Sequence, residues 1–191
     1  MDQRNERGRR CPETKPVCPS LLARFIGNRR GSTAIEFTLL AIPFALLVFA
    51  ILESCISFAG QQLLANATDD IARQVRTGQL TATDLDDAKL RGLLCDKLSI
   101  LVGSSCSQYI YFDLEHYNDF ATAAATQTVV NNGALVTTGF KVAPGGPLTI
   151  NMLRVWYEWP VMTDFMTKLM SNLSNGRTLL FASATWQNEP F

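Results

Sequence analysis

The residues best placed for chemistry lie near the N-terminus. Arg29-Arg30 precedes Gly31, and Glu36 stands five positions after that glycine. Gly31 suits a cleavage site, because a residue without a side chain enters a protease cleft readily in extended form. Cutting after Gly31 would leave a free amine on Ser32, about one helical turn from Glu36. That amine, or one from a neighbouring subunit, would neutralise the carboxylate. An acid at the edge of a membrane span costs a few kcal/mol in hydrocarbon, so such acids tend to be paired and functional. A cut there would make Gly31, Ser32 and Glu36 a processing site.

Other reactive side chains converge poorly. His116 is the single histidine, so any serine or cysteine triad would have to use it as base. It stands between Glu115 and Tyr117 in a predicted loop and reads as a surface residue. The chain has no G-x-G-x-x-G, no phosphate loop and no H-E-x-x-H. Asp84, Asp86 and Asp87 suit a solvated first helical turn, because the glycine and glutamate of an EF-hand loop are missing. Cys11 and Cys18 fall in a basic head without partner histidines. Cys55 reads as a small buried apolar residue. The expectation is a protein with no catalytic residues, no cofactor and no metal.

The elements that position the processing site follow from charge and hydropathy. The chain has 191 residues, 47% apolar and 18% charged, room for one domain, or a small one with an anchor. Its formal net charge is zero, which argues against nucleic acid as a partner. Residues 1–31 carry 8 Lys/Arg and 3 Asp/Glu, while the remainder carries 9 and 14. Between the basic head and the acidic body, Phe37 to Leu52 reads FTLLAIPFALLVFAIL without a charge. About 20 apolar residues span a bilayer, and the run from Ser32 to Phe58 is long enough. Arg29 and Arg30 place the head in the cytoplasm by the positive-inside rule. The segment reads as a plain signal anchor, as a secretory signal cut near Ser57-Phe58-Ala59, or as a class III signal cut before the apolar run. The basic pair, Gly31 and Glu36 favour the third, and the basic head is long for a secretory signal.

G-S-T-A-I-E-F followed by L-L-A-I-P-F resembles the type IV pilin-like signal read by prepilin peptidases. More narrowly, it resembles the TadE-like pseudopilins of the tight-adherence (Flp) pilus system. Later stretches extend the resemblance: Arg76-Thr77-Gly78-Gln79, Leu94 to Leu98 with Cys106 beyond, Tyr109 to Asp113, Tyr117 to Phe120, Pro144-Gly145-Gly146-Pro147, Val155 to Pro160, Asn175-Gly176-Arg177, and the terminal Asn188-Glu189-Pro190-Phe191. Residues 1–28 match nothing in that pattern. The resemblance implies a minor pilin-like component of Tad pilus assembly that supports pilus biogenesis and surface adherence. Its partners would be a prepilin peptidase, other pilin-like subunits, the Tad inner-membrane machinery and membrane lipid. The alternatives are a permanent inner-membrane scaffold that never enters a fibre, or a generic signal-anchored periplasmic protein.

The expected organisation is a leader over 1–31, a transmembrane helix over 32–58 with Phe37, Pro43 and Leu52 inside it, and an extracytoplasmic domain over 59–191. Ile56, Leu63, Ala67, Ile71 and Val75 form an apolar stripe that carries the first helix on to about Thr77, where Gly78 stops it. Pro43 should kink it. Thr83-x-x-Asp86 opens a second helix with a leucine-rich face. Strands are expected at Gln108–Leu114, Leu148–Trp159 and Thr178–Gln187, with a weaker one within Ala134–Val142. Ala121–Thr128 fits helix or loop. Met162, Phe165, Met166, Leu169, Met170 and Leu173 share a helical stripe that suits the sheet surface or a partner. The predicted fold is α+β: a pilin-like long N-terminal helix, half transmembrane and half amphipathic, packed on a small mostly antiparallel sheet with additional short helices. Cys95 and Cys106, ten residues between them, would face the periplasm and form a disulfide tying the second helix to the first strand, worth about 2–3 kcal/mol.

Overall fold

A computed structural model describes residues 32–128 and 130–190. By its contacts the chain divides into two compact units, residues 1–46 and 47–191. Helix α1 (Ser32–Arg76) begins in the first unit and opens the second. In the first unit the described residues are helical, with Pro43 inside the helix. Thr38, the polar side chain of that run, satisfies its hydroxyl on the Ala34 carbonyl at 2.8 Å.

In the second unit, α1 ends as its sequence predicts. The Gln79 N–H reaches the Gln74 carbonyl and the Gly78 N–H the Val75 carbonyl, a Schellman arrangement that needs a left-handed residue. Gly78 supplies it with φ of 73°. Then follow α2 (Asp87–Val102), a 3-10 turn (Gly103–Ser105), α3 (Cys106–Tyr109), β1 (Ile110–Tyr117), α4 (Phe120–Ala125), β2 (Val130–Asn131), β3 (Ala134–Leu135), β4 (Val142–Ala143), β5 (Ile150–Pro160), α5 (Asp164–Met170) and β6 (Arg177–Gln187). The main sheet has the order β4-β1-β5-β6. β1–β5 and β5–β6 are antiparallel and β1–β4 is parallel. The expected α+β class with a mostly antiparallel sheet is what the chain forms.

One sheet face builds the main core. Ile110, Phe112 and Leu114 of β1, Leu153, Val155, Tyr157 and Trp159 of β5, and Leu180, Ala182 and Trp186 of β6 cluster with Leu64, Ala67, Ile71 and Val75 of α1 and Leu90, Leu94 and Leu98 of α2. The other face is covered by the chain between β1 and β5. Phe140 stacks on Trp156 with ring centroids 4.6 Å apart, and the Trp156 indole N–H donates to Thr128 Oγ1. β5 is therefore buried on both faces over most of its length, which is why its sequence loses clean alternation near Leu153. Beneath that cover Arg154 Nη2 donates to Asp113 Oδ2 at 2.5 Å, with both side chains buried. Asp113 Oδ1 accepts the Lys141 N–H at 3.0 Å, pinning the covering segment to the sheet.

Several sequence expectations shift. Asp86, not Thr83, caps α2, accepting from the Lys89 N–H; Thr83 instead meets Thr81, whose N–H and hydroxyl bind Asp84. The Cys95–Cys106 disulfide is present, Cα atoms 5.6 Å apart. It joins the middle of α2 to the start of α3 rather than to a strand. Gln108 and Tyr109 are consequently helical, and β1 starts at Ile110 and runs on to Tyr117. His116 thus sits in a strand, exposed, with Nδ1 3.2 Å from the Ala143 carbonyl oxygen. The weak strand forms only as β3 and β4: Asn132 and Gly133, both at positive φ, fold β2 and β3 into a tight hairpin, and β4 pairs with β1 instead. Phe120–Ala125 resolves as helix, capped by Asp119.

Two outcomes follow for stability. Removing one partner of the buried pair, as in Arg154→Met, should cost about 3–5 kcal/mol, and the double variant Asp113→Leu/Arg154→Met should recover most of it; denaturant titration of the full chain in micelles measures both. The Lys97 ammonium and then the Arg73 guanidinium hold the Asp70 carboxyl below its ordinary value of 3.8. A carboxyl lowered on folding stabilises above its unfolded value and ceases to as pH falls through the folded one. Stability should therefore drop below about pH 4 more steeply in the native chain than in Asp70→Asn, as acid titration of its thermal midpoint would show.

Candidate functional site

Gly31 lies outside the described residues, as do Cys11, Cys18 and residues 1–28. Ser32 is the first residue of α1, and Glu36 lies exposed on its second turn. Beyond them the helix shows apolar side chains on every side. In the first unit Ile35, Phe37, Leu39, Leu40, Ile42 and Phe44 are all more than half exposed; in the second so are Leu47, Phe49, Ile51 and Leu52. A helix apolar all round is unstable in water and suits hydrocarbon. α1 is long and apolar enough to cross a membrane.

The character of α1 changes at Glu53, which is only 8% exposed. Its carboxylate meets the turn between β5 and α5. Oε1 accepts the Met162 N–H at 2.5 Å and the Thr163 N–H at 3.3 Å, and Oε2 accepts the Thr163 hydroxyl at 2.6 Å. Thr163 is also the cap of α5, its Oγ1 accepting from the Met166 N–H. One turn further on Ser57 is buried. Gly60 then lets the Trp159 ring close on α1, where a Cβ would stand 2.6 Å from it. Gln61 pairs with both the N–H and the carbonyl of Phe181 on the outer edge of β6. Apolar packing through Leu64, Ala67, Ile71 and Val75 continues from there.

The buried stripe therefore runs Glu53, Ser57, Gly60, Leu64, Ala67, Ile71, Val75. Apolar periodicity missed its first three members because they are acidic, hydroxylic and side-chain-free. It placed Ile56 in the stripe instead, and Ile56 is exposed. Cys55, expected to be buried, is an exposed free thiol on the same outward face.

The far end of α1 is held by the motifs near the C-terminus. The Asn188 side chain donates to the Gly145 and Gly146 carbonyls and accepts from the Trp186 indole. The Asn188 N–H bonds the Thr149 carbonyl, and the next N–H, of Glu189, bonds the Arg76 carbonyl at the end of α1. The Glu189 carboxylate also pairs with Arg76 at 3.3 Å. Asn188-Glu189 and the Pro144-to-Pro147 turn are thus two halves of one clamp. Phe191 lies outside the described residues.

The methionine stripe divides. Met166 and Leu173 are buried, while Met162, Phe165 and Leu169 face outward. A shallow recess bordered by Asp113, Glu115, Phe140 and Arg154 lies on the covered sheet face. Among the described residues, no three His, Cys, Asp or Glu are grouped to hold a metal ion.

Gly60→Ala should destabilise the second unit by about 1–3 kcal/mol, since the rigid indole must move. Gly92→Ala, on an α2 face where an added Cβ meets nothing within 4 Å, should stabilise by about 0.5–1 kcal/mol. Thermal unfolding followed by near-ultraviolet dichroism reads both, and equal signs would contradict the packing described.

A family model described as TadE-like protein matches residues 31–73, from the predicted cleavage glycine to the α1 residues packed on the sheet. No curated protein and no solved structure matches the chain. Residues 74–191, with the C-terminal clamp, lie outside the matched segment. Residues 31–73 are accordingly a TadE-like segment, which suggests a pseudopilin-type role associated with the Tad pilus.

Proposed function

We propose that the chain is a minor pilin-like component of the Tad pilus assembly machinery, made as a precursor and cut between Gly31 and Ser32 by a prepilin peptidase. Its basic head lies in the cytoplasm, α1 crosses the inner membrane, and the α+β domain stands in the periplasm, where it meets other pilin-like subunits and supports adherence. It acts by assembly and not by catalysis. The observation that carries this reading is the TadE-like match, which covers residues 31–73 and starts at Gly31.

The packing of α1 supports processing at the front of the apolar run. A secretory cut near Ser57-Phe58-Ala59 would remove Glu53 and Ser57, both buried within the second unit. Removing Glu53 would leave the Met162 and Thr163 donors without their acceptor, a penalty of about 1–3 kcal/mol for each buried group. A cut after Gly31 leaves that packing whole. It also places the new Ser32 amine about one turn from Glu36, where opposite charges attract.

N-terminal sequencing of the mature protein tests the reading. The expected terminus is Ser32, and Gly31→Leu should accumulate the uncut precursor. A terminus near Gly60 would overturn it in favour of a secretory signal, and an intact Met1 would favour a plain anchor. Recovery of the chain in sheared fibres identifies a pilus subunit; recovery only in carbonate-washed membranes identifies a permanent scaffold.

A further inference from the structure

We propose that α5 is an interfacial helix, lying in the periplasmic surface of the bilayer that α1 crosses, with Met162, Phe165 and Leu169 inserted among the lipid chains. This rests on the membrane reading above. Those three residues are 72%, 55% and 69% exposed, although Met166 and Leu173 of the same segment are buried.

The placement of α5 selects the occupant. The turn that leads into α5 and the last residue of α5 touch the same turn of α1: the Met162 and Thr163 N–H groups bind Glu53, and Met170 Sδ lies 3.9 Å from Ser54 Oγ. Neighbouring helix positions differ in height by about 1.5 Å, so α5 lies across α1 and not along it. A helix lying across a membrane-spanning helix lies in the plane of the membrane. Glu53 directly follows the apolar run that ends at Leu52, so a bilayer covering Leu47 to Leu52 reaches Met162.

The outward face of α1 fixes the depth. Ile56, Phe58 and Ala59 are exposed, and the next exposed residue is Gln62. α5 thus sits some five residues, or about 7.5 Å, below the end of the apolar surface, within the roughly 5–10 Å to which interfacial helices sink. Asp164 and Lys168 are exposed one turn apart on α5, turned from Leu169 by about 100° or more of helix rotation, where they meet headgroups and water. Three apolar side chains are too small a patch for a stable second copy, which needs about 1,000 Å² or more of buried surface.

The test uses the full chain reconstituted into phosphatidylcholine/phosphatidylglycerol vesicles and confirmed as carbonate-resistant. The variant Phe165→Trp places a reporter on the outward face; the native Trp156, Trp159 and Trp186 are buried, and the unsubstituted chain supplies their background. Acyl-brominated phosphatidylcholine should quench most of the added emission, and aqueous iodide little of it. Unquenched emission that iodide reaches, in a carbonate-resistant chain, overturns the interfacial helix and leaves the membrane reading intact. Iodide protection that persists in micelles and rises with protein concentration assigns the face to a second copy and also overturns it. A chain that carbonate extracts overturns both readings. Leu169→Ser, which leaves Met166 and the core in place, should weaken binding of α5 to the vesicle surface and raise iodide quenching of the Phe165→Trp reporter.

Discussion

A carboxylate at the end of a hydrocarbon-seeking helix must find donors, and residue 53 finds three. Glu53 is only 8% exposed, and a buried ionised acid cannot be left bare without a cost of several kcal/mol. The turn after β5 supplies two backbone N–H groups and a hydroxyl. In meeting that requirement, Glu53 fixes where α1 joins the α+β domain, which face of α1 turns inward, and where α5 can lie. The stripe from Ser57 to Val75 follows from that phase by helical geometry alone.

The sheet extends this fixed point to the opposite end of the same unit. β5 leads through the core to the Glu53 turn, and β6, starting beside Pro160, runs back to Asn188 and Glu189, which close on the last turn of α1. Residues 53 to 76 are thus gripped at both ends by one pair of adjacent strands. Between the grips Gly60 and Gln61 meet β5 and β6 at close range, an arrangement that also blunts the free edge of β6. The disulfide and the Lys97–Asp70 pair tie α2 into this frame from the side.

Much of this was legible in the residues. The apolar run announced a helix long enough to cross a membrane, and alternation in Thr178–Gln187 gave β6 to within a residue. The pairing of Cys95 with Cys106 was also read from the sequence. What escaped were features set by long-range contact. The start of the buried stripe was hidden because Glu53, Ser57 and Gly60 lack apolar character. β1 was misplaced by two or three residues because the disulfide keeps Cys106 to Tyr109 helical. The stripe from Met162 to Leu173 is helical only over Asp164–Met170, its start set at Thr163, which caps it and is held by Glu53. In each case a distant partner decided what local propensity left open.

The most direct test of the Glu53 interaction is a double-mutant cycle between Glu53→Gln and Thr163→Val, read by denaturant unfolding of the full chain in micelles. A charged hydrogen bond at a buried site should leave a coupling free energy of about 1.5–3 kcal/mol between the two positions. Losses that add to within about 0.5 kcal/mol would mean the two side chains act independently, and the domain would then have to be anchored to α1 by something other than this carboxylate.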